Sequence, residues 1–224
     1  MNDFYAYFEK QYQHKKENHE NGWQNETDDK ELINWFRELL SKVPPQGNRI
    51  LEIGCGAGNI SAWLASLGFS VVGIDVSYTA IRWAKERFTT LNLSGDFICA
   101  DLTTKVNLNV NKFDFVIDSL CFHCIIGEDR NEVLKNIGRL LKNDGLFYCV
   151  TMCGNPKPEI LSRHFDEKTR CTLSDGVPTR YLGFPDDILI ELEAANFTVL
   201  WHKIVISDNT DGQDMLISIN RINK

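Results

Sequence analysis

Four carboxylates and one histidine, Glu52, Asp75, Asp101, Asp118 and His123, sit within or just past short apolar runs. That placement brings polar side chains to the rim of a buried sheet, where a ligand can meet them. Glu52 lies two residues before a turn with glycines at Gly54, Gly56 and Gly58. A glycine-rich turn between strand and helix lets backbone approach a ligand, with the first helical N–H groups pointing at it. The dinucleotide fingerprint spaces its glycines G-x-G-x-x-G to seat a pyrophosphate. Here the spacing is G-x-G-x-G. A carboxylate at Glu52 repels a pyrophosphate but serves a cationic ligand, directly or through water. Asp75 lies one helix and one strand beyond Gly58, so it can accept from both hydroxyls of a ribose. Asp101 can accept from an exocyclic adenine amine. Aspartate at a strand end also has a plainer use as a turn or helix cap. His123 follows Asp118 closely; a neutral imidazole can deprotonate a hydroxyl, thiol or amine, or it can simply cap the next turn.

The elements that position these residues follow from apolar periodicity. Leu32, Ile33, Phe36, Leu39 and Leu40 mark a helix over residues 29–41, ended by Pro44, Pro45 and Gly47. RILEI is a short buried strand, and Asn59 is placed to cap the helix carrying Ile60, Trp63, Leu64 and Leu67. VVGIDV is a second strand, Ser77 opens a helix with Ile81, Trp83, Ala84 and Phe88, and DFICA is a third strand. FDFVID is a fourth strand. Val133, Leu134, Ile137, Leu140 and Leu141 predict a helix ending at Asn143-Asp144-Gly145, before a fifth strand, LFYCVTM. Alternating strands and helices with continuously apolar strands mean a parallel sheet covered on both faces. FTVLWHKIVI and DMLISINRI, joined by a turn-rich segment, predict an antiparallel hairpin. Pro185 opens the helix before it, and Asn196 is suited to a left-handed cap.

Composition sets limits. The 224 residues are 43% hydrophobic and 25% charged with no repeat or linker, which fits one domain over residues 1–224. A net charge of −7 gives no footprint for gripping a phosphate backbone, so no nucleic acid is expected. Residues 1–20 lack the apolar centre of a secretory signal and no segment has the length to span a bilayer; a cytoplasmic protein, monomer or homodimer, with no membrane partner is expected. Seven cysteines at irregular spacing do not make a disulfide framework. Cys121 and Cys124 have zinc-like spacing, but Cys99 and Cys149 lie in apolar runs, where free cysteine packs as a small hydrophobe. No metal is expected.

ILEIGCGAG, GIDVS, CADL, FDFVIDS and LLKNDGLF, in that order, make residues from about 30 to 222 resemble the class I S-adenosylmethionine-dependent methyltransferases. The resemblance implies an α/β, Rossmann-like, doubly wound seven-stranded sheet, mostly parallel with an antiparallel last strand and helices on both faces. It implies S-adenosyl-L-methionine as cofactor, with Gly54 and Gly56 touching it, Glu52 at its amino acid end, Asp75 and Val76 at the ribose, and Asp101 and Leu102 at adenine. Asp118 at the fourth strand's end and the aromatic Trp23 before the first sheet helix complete the implied set. The stretch from Asp118 to His123 is similar to small-molecule enzymes of the thiopurine and tellurite-resistance type, which makes His123 the candidate base.

The chain lacks an NPPY-like tetrapeptide after strand four, a Pro-Cys nucleophile and a double-glutamate loop, which points to a small-molecule acceptor. Residues 152–184 exceed what a compact sheet needs and read as a lid-like insertion, with Arg163, Arg180 and Tyr181 as acceptor contacts. Residues 1–28 form an aromatic-rich N-terminal arm that either closes over the ligands or staples itself to the core. Two other readings stand beside methyl transfer: a nicotinamide-dependent oxidoreductase, and a noncatalytic cofactor-binding regulatory subunit.

Overall fold

The computed structural model describes residues 3–104, 112–157, 162–207 and 212–224. Five strands pair in parallel: β1 (Arg49–Ile53), β2 (Ser70–Asp75), β3 (Gly95–Cys99), β4 (Phe113–Ser119) and β5 (Leu141–Cys153). The expected lid-like insertion folds as a separate antiparallel sheet of β6 (Phe165–Asp166), β7 (Cys171–Ser174) and β8 (Val177–Tyr181). The chain closes with the expected hairpin, β9 (Phe197–Val205) and β10 (Asp214–Ile222); its turn residues 208–211 lie outside the described residues. The large sheet runs β3-β2-β1-β4-β5-β10-β9. Its antiparallel member is β10, last in the chain, between β5 and β9.

Side chains alternate across a strand, and that alternation sorts this core into two layers. Ile50 of β1 with Phe115 and Ile117 of β4 packs against α2 (Glu26–Lys42) and α3 (Asn59–Ser66) through Leu32, Phe36, Ile60 and Leu64. Leu51 and Ile53, with Val116, face α5 (Asp129–Leu140) and α6 (Pro185–Ala194) through Val133, Ile137, Ile188 and Leu192. Helix α4 (Tyr78–Thr90) seats Ile81, Ala84 and Phe88 on Phe97. The strand order reverses at β1 and β4, which opens a crevice at their C-terminal ends.

Local signals held with two corrections. Ser77 caps α4 by accepting from Ala80 N, Pro185 opens α6, and Asn196 is left-handed at φ +68°. Asn59, expected as a cap, is instead the first residue of α3; left-handed Gly58 precedes it, and its amide reaches Asp29 Oδ2 at 2.6 Å. Helix α5 ends at Leu140, because Leu141 is already extended at ψ 148°; Asn143-Asp144-Gly145 therefore lies inside the kinked start of β5.

Within the N-terminal arm, Asp3–Glu17 form helix α1, packed on α4. Glu9 fixes it there. Its carboxylate accepts from Ser77 Oγ (2.6 Å), Thr79 N (3.1 Å) and Thr79 Oγ1 (2.6 Å), which holds its pKa below the usual range despite partial burial. These acceptors cap the first turn of α4 from another helix, favourable for a negative charge at a helix N-terminus. Glu9→Ala should therefore destabilise the protein by roughly 1–3 kcal/mol and accelerate amide exchange across residues 3–17. Exchange unchanged from wild type would show that α1 is held by its aromatics and by the Lys16–Glu86 and Tyr5–Asp129 contacts without Glu9.

Candidate functional site

The crevice contains one cavity built from the ends of β1, β2 and β4 and roofed by α1 and Trp23. Its floor is the turn after β1. Gly54, Gly56 and Gly58 have φ of +59°, +53° and +77°, so the alternating glycines supply three left-handed residues that other side chains rarely adopt. Close packing reinforces this at two of them. A Cβ on Gly54 would lie 2.4 Å from the Cys121 side chain, and one on Gly56 would lie 2.4 Å from the Tyr12 hydroxyl. Cys55 N donates to Ile74 O (2.9 Å), which ties the turn to β2.

Two buried acids flank that floor. Glu52 shares a strand face with Ile50, and the same alternation brings Ser61 of α3 and Ser119 of β4 against it; both hydroxyls donate to its carboxylate. Burial nevertheless outweighs these donors and raises its pKa to about 7. Asp75 ends β2 and accepts from Gly56 N (2.9 Å) and Ser77 N (2.8 Å), so one carboxylate positions both the glycine turn and the start of α4. Burial raises it to about 6. Asp101 receives Thr103 N and Oγ1 on one oxygen, Oδ1, at 2.9 and 2.6 Å.

Of the cofactor residues expected from sequence, Trp23, Glu52, Gly54, Gly56, Asp75, Val76, Asp101 and Leu102 all line this cavity. Asp118 does not. It is one residue out of phase with Ser119, so its carboxylate lies on the other face of β4, where it accepts from Cys121 N (2.7 Å), Phe122 N (2.9 Å) and Cys149 Sγ. His123 is also turned away from the cavity. Leu120 is left-handed at φ +67°, and the tight turn Phe122–Cys124 that follows directs Cys121 and Cys124 into the wall. His123 is 3% exposed, receives a long 3.5 Å contact from Met152 N, and is kept neutral by burial and then by Arg180 and Arg130.

The proposed acceptor residues are dispersed. Arg163 is exposed before β6, and the Tyr181 ring is covered by Arg130 at 4.4 Å. Arg180 lies partly buried on β8, behind the turn that carries Cys124. No described residue of the insertion lines the cavity; its cover is Tyr5, Phe8, Tyr12 and Trp23, with Tyr12 and Phe8 rings 5.3 and 5.7 Å from Trp23. Sequence reasoning singled out Trp23 and took the other aromatics of the N-terminal arm as a group. It missed Ser61, Ser119, Cys121 and Cys124, of which Ser119 was available from its phase with Glu52. The wall thiols are neutral: burial raises Cys55 and Cys121 well above the ordinary value and Cys124 to about 12.

Among the described lining residues there is no lysine, arginine or histidine. A site with buried acids and no cation favours a positively charged ligand, whose arrival relieves the cost of ionising them. In its absence that cost falls on the fold. A carboxyl raised in the folded state contributes stability below the ordinary carboxylate range, and the contribution is lost as pH rises through about 7. The ligand-free melting temperature should accordingly fall from pH 5 to pH 8, and Glu52→Gln should recover up to about 3 kcal/mol at pH 8. Identical pH slopes for the two proteins would place the charge cost elsewhere.

Comparison with known proteins agrees with this geometry. Residues 51–149 match the family described as a methyltransferase domain. An uncharacterized methyltransferase of Schizosaccharomyces pombe is 33% identical over 95 residues, 42% of this chain and 65% of that protein. A ubiquinone biosynthesis O-methyltransferase of Cereibacter sphaeroides is 33% identical over 129 residues, 54% of this chain and 48% of its own length. The chain thus spans less than two thirds of these relatives. An S-adenosylmethionine-dependent methyltransferase structure from Methanosarcina mazei superposes with a TM-score of 0.70 at 21% identity, covering 82% of this chain and 96% of that one. Residues 51–149, which hold the acid-flanked glycine turn, are thus similar to a methyltransferase domain, and the seven-stranded sheet around them has the fold of a solved S-adenosylmethionine-dependent methyltransferase.

Proposed function

We propose that the protein binds S-adenosyl-L-methionine in the acid-lined cavity and transfers its methyl group to a small-molecule acceptor at oxygen, nitrogen or sulfur. The observation that carries this reading is the union of Glu52, Asp75 and Asp101 in one cavity, with no cationic side chain among its described lining residues, over a left-handed glycine turn. The residues fit such a ligand. Each Asp75 oxygen receives one backbone N–H and keeps a lone pair for a ribose hydroxyl, and Asp101 Oδ2 remains for the adenine amine. Ile74, Val76 and Leu102 offer apolar surface to the base, and Glu52 offers negative charge to the amino acid end.

When bound, the cofactor supplies a methyl group already activated on a positive sulfur. The chain then has to align donor and acceptor and exclude water, tasks suited to the closed aromatic roof. In this reading the carboxylates of the described lining are engaged with the cofactor, Tyr12 is held neutral by burial and then by Asp75, and the thiols are neutral too, which leaves no base among the described lining residues for the acceptor. Support is therefore strongest for an acceptor whose nucleophile is already unprotonated or loses its proton to solvent. The ubiquinone-pathway relative favours a small acceptor. The seven free cysteines suit a reducing compartment such as the cytoplasm.

Calorimetry tests this directly. S-adenosylhomocysteine should bind and NAD should not, and Asp75→Asn should weaken binding by about 1.5–3 kcal/mol, since a charged acceptor of two hydroxyls is lost. NAD uptake without S-adenosylhomocysteine uptake would favour an oxidoreductase. Tight binding with no transfer to any of a broad acceptor panel would favour a regulatory subunit.

A further inference from the structure

Most polar side chains that line the cavity spend their donors on the protein itself. Among the described lining residues, Tyr5 Oη donates to Asp129 Oδ2 (2.9 Å), Ser119 Oγ to Glu52, Thr103 Oγ1 to Asp101 (2.6 Å), and the Asn59 amide to Asp29 Oδ2 and Asn21 O. Tyr12 differs. Its side chain lines the same cavity and is 6% exposed, yet its hydroxyl makes no hydrogen bond with any described residue. Trp23 and Gln24 also keep uncommitted N–H groups, but both are only half-buried, so solvent can serve them. A buried hydroxyl without a partner is unfavourable in the ligand-free fold and becomes useful when a ligand supplies the acceptor.

Two neighbours fix where that hydroxyl stands. Tyr12 belongs to α1, which Glu9 anchors to α4, and its ring rests on Trp23 with centroids 5.3 Å apart. The hydroxyl reaches the glycine turn: a Cβ on Gly56 would lie 2.4 Å from Tyr12 Oη, closer than to any other atom of the ring. Burial, and then the charge of Asp75, keep the hydroxyl protonated, so it stands over the turn as a donor. The amino acid end of S-adenosylmethionine carries both an ammonium and a carboxylate. Glu52 and Asp75 attract the first and repel the second, and no lysine, arginine or histidine is among the described lining residues. The carboxylate therefore depends on neutral donors, and a hydrogen bond to an ionised group is a strong one. Tyr12 is the buried side-chain hydroxyl of the described lining left free to make it.

We propose that Tyr12 binds the cofactor directly, its hydroxyl donating to the carboxylate of the amino acid end while the ammonium turns toward Glu52. This rests on the S-adenosylmethionine reading of the cavity and adds to the strand-end acids a binding residue contributed by the helix overhead. Tyr12 exchanges no proton in this role; it distinguishes an adenosyl amino acid from nucleosides that lack the carboxylate. The two ends of the zwitterion are thus sorted by charge, with the acid of β1 taking the ammonium and the neutral donor of α1 taking the carboxylate.

The test compares three probes on the full chain: S-adenosylhomocysteine, its decarboxylated analogue, which keeps the ammonium, and methylthioadenosine, which lacks the whole amino acid end. Calorimetry, with ligand-observed NMR for the weaker binders, gives their affinities for the wild type and for Tyr12→Phe, which removes the hydroxyl and keeps the ring against Trp23. Tyr12→Phe should weaken S-adenosylhomocysteine about tenfold. The other two probes should stay within twofold of their wild-type affinities, which also shows that the variant's cavity is intact. Equal weakening of the decarboxylated analogue would assign the hydroxyl to some group other than the carboxylate, and an unchanged affinity for S-adenosylhomocysteine would leave it without a ligand contact; either result overturns the proposal. Failure of the wild type to bind S-adenosylhomocysteine would instead overturn the cofactor assignment on which it rests.

Discussion

Two buried carboxylates, Glu52 and Asp75, with no cationic side chain among the described residues lining their cavity, govern this structure. They sit on adjacent strands, buried at the end of the sheet, and burial raises both pKa values although each accepts hydrogen bonds. A fold carries such groups when something outside it compensates for their charge. Serine hydroxyls from α3 and β4 do part of that for Glu52, and backbone N–H groups do part of it for Asp75. The remainder is left to a ligand. This constraint accounts for the absence of basic residues among the described lining of the cavity, and the turn beside it is made of glycine because a side chain at Gly54 or Gly56 would occupy space already used by Cys121 or Tyr12.

The same acids couple the site to its cover. Asp75 holds Gly56 N and Ser77 N, and Ser77 Oγ in turn donates to Glu9 of α1. A continuous run of hydrogen bonds thus links the glycine floor, the first turn of α4 and the helix overhead. Tyr12 and Trp23, carried by α1 and the segment after it, close the cavity against the floor that Asp75 positions.

The sheet and most of the cofactor side were legible in the residues because they obey short-range rules. Apolar strands with acids at their ends, and glycines at alternate positions, have few other uses. What escaped reading depended on direction rather than type. Asp118 and Ser119 are neighbours, yet a strand points them to opposite faces, and only Ser119 reaches Glu52. His123 sits one residue from Cys124, yet the left-handed step at Leu120 and the tight turn place the thiol in the wall and the imidazole behind it. Helix α1 was read as an arm because its roof position comes from long-range partners, Glu9 with Ser77 and Tyr5 with Asp129. The insertion was read as lid-like from its length, and that its strands pair with one another in a separate sheet was not legible from that length.

The central claim is that buried negative charge awaits a positive ligand, and proton counting addresses it most directly. Calorimetric titration of S-adenosyl-L-methionine at pH 6, repeated in buffers of different ionisation heat, gives the protons exchanged on binding. At that pH a free α-amino group is already protonated, while Glu52, titrating at about 7, is largely neutral. Binding should release protons, approaching one per cofactor, and Glu52→Gln should lose most of that release. Binding of equal strength with no release, or with net proton uptake, would contradict the account.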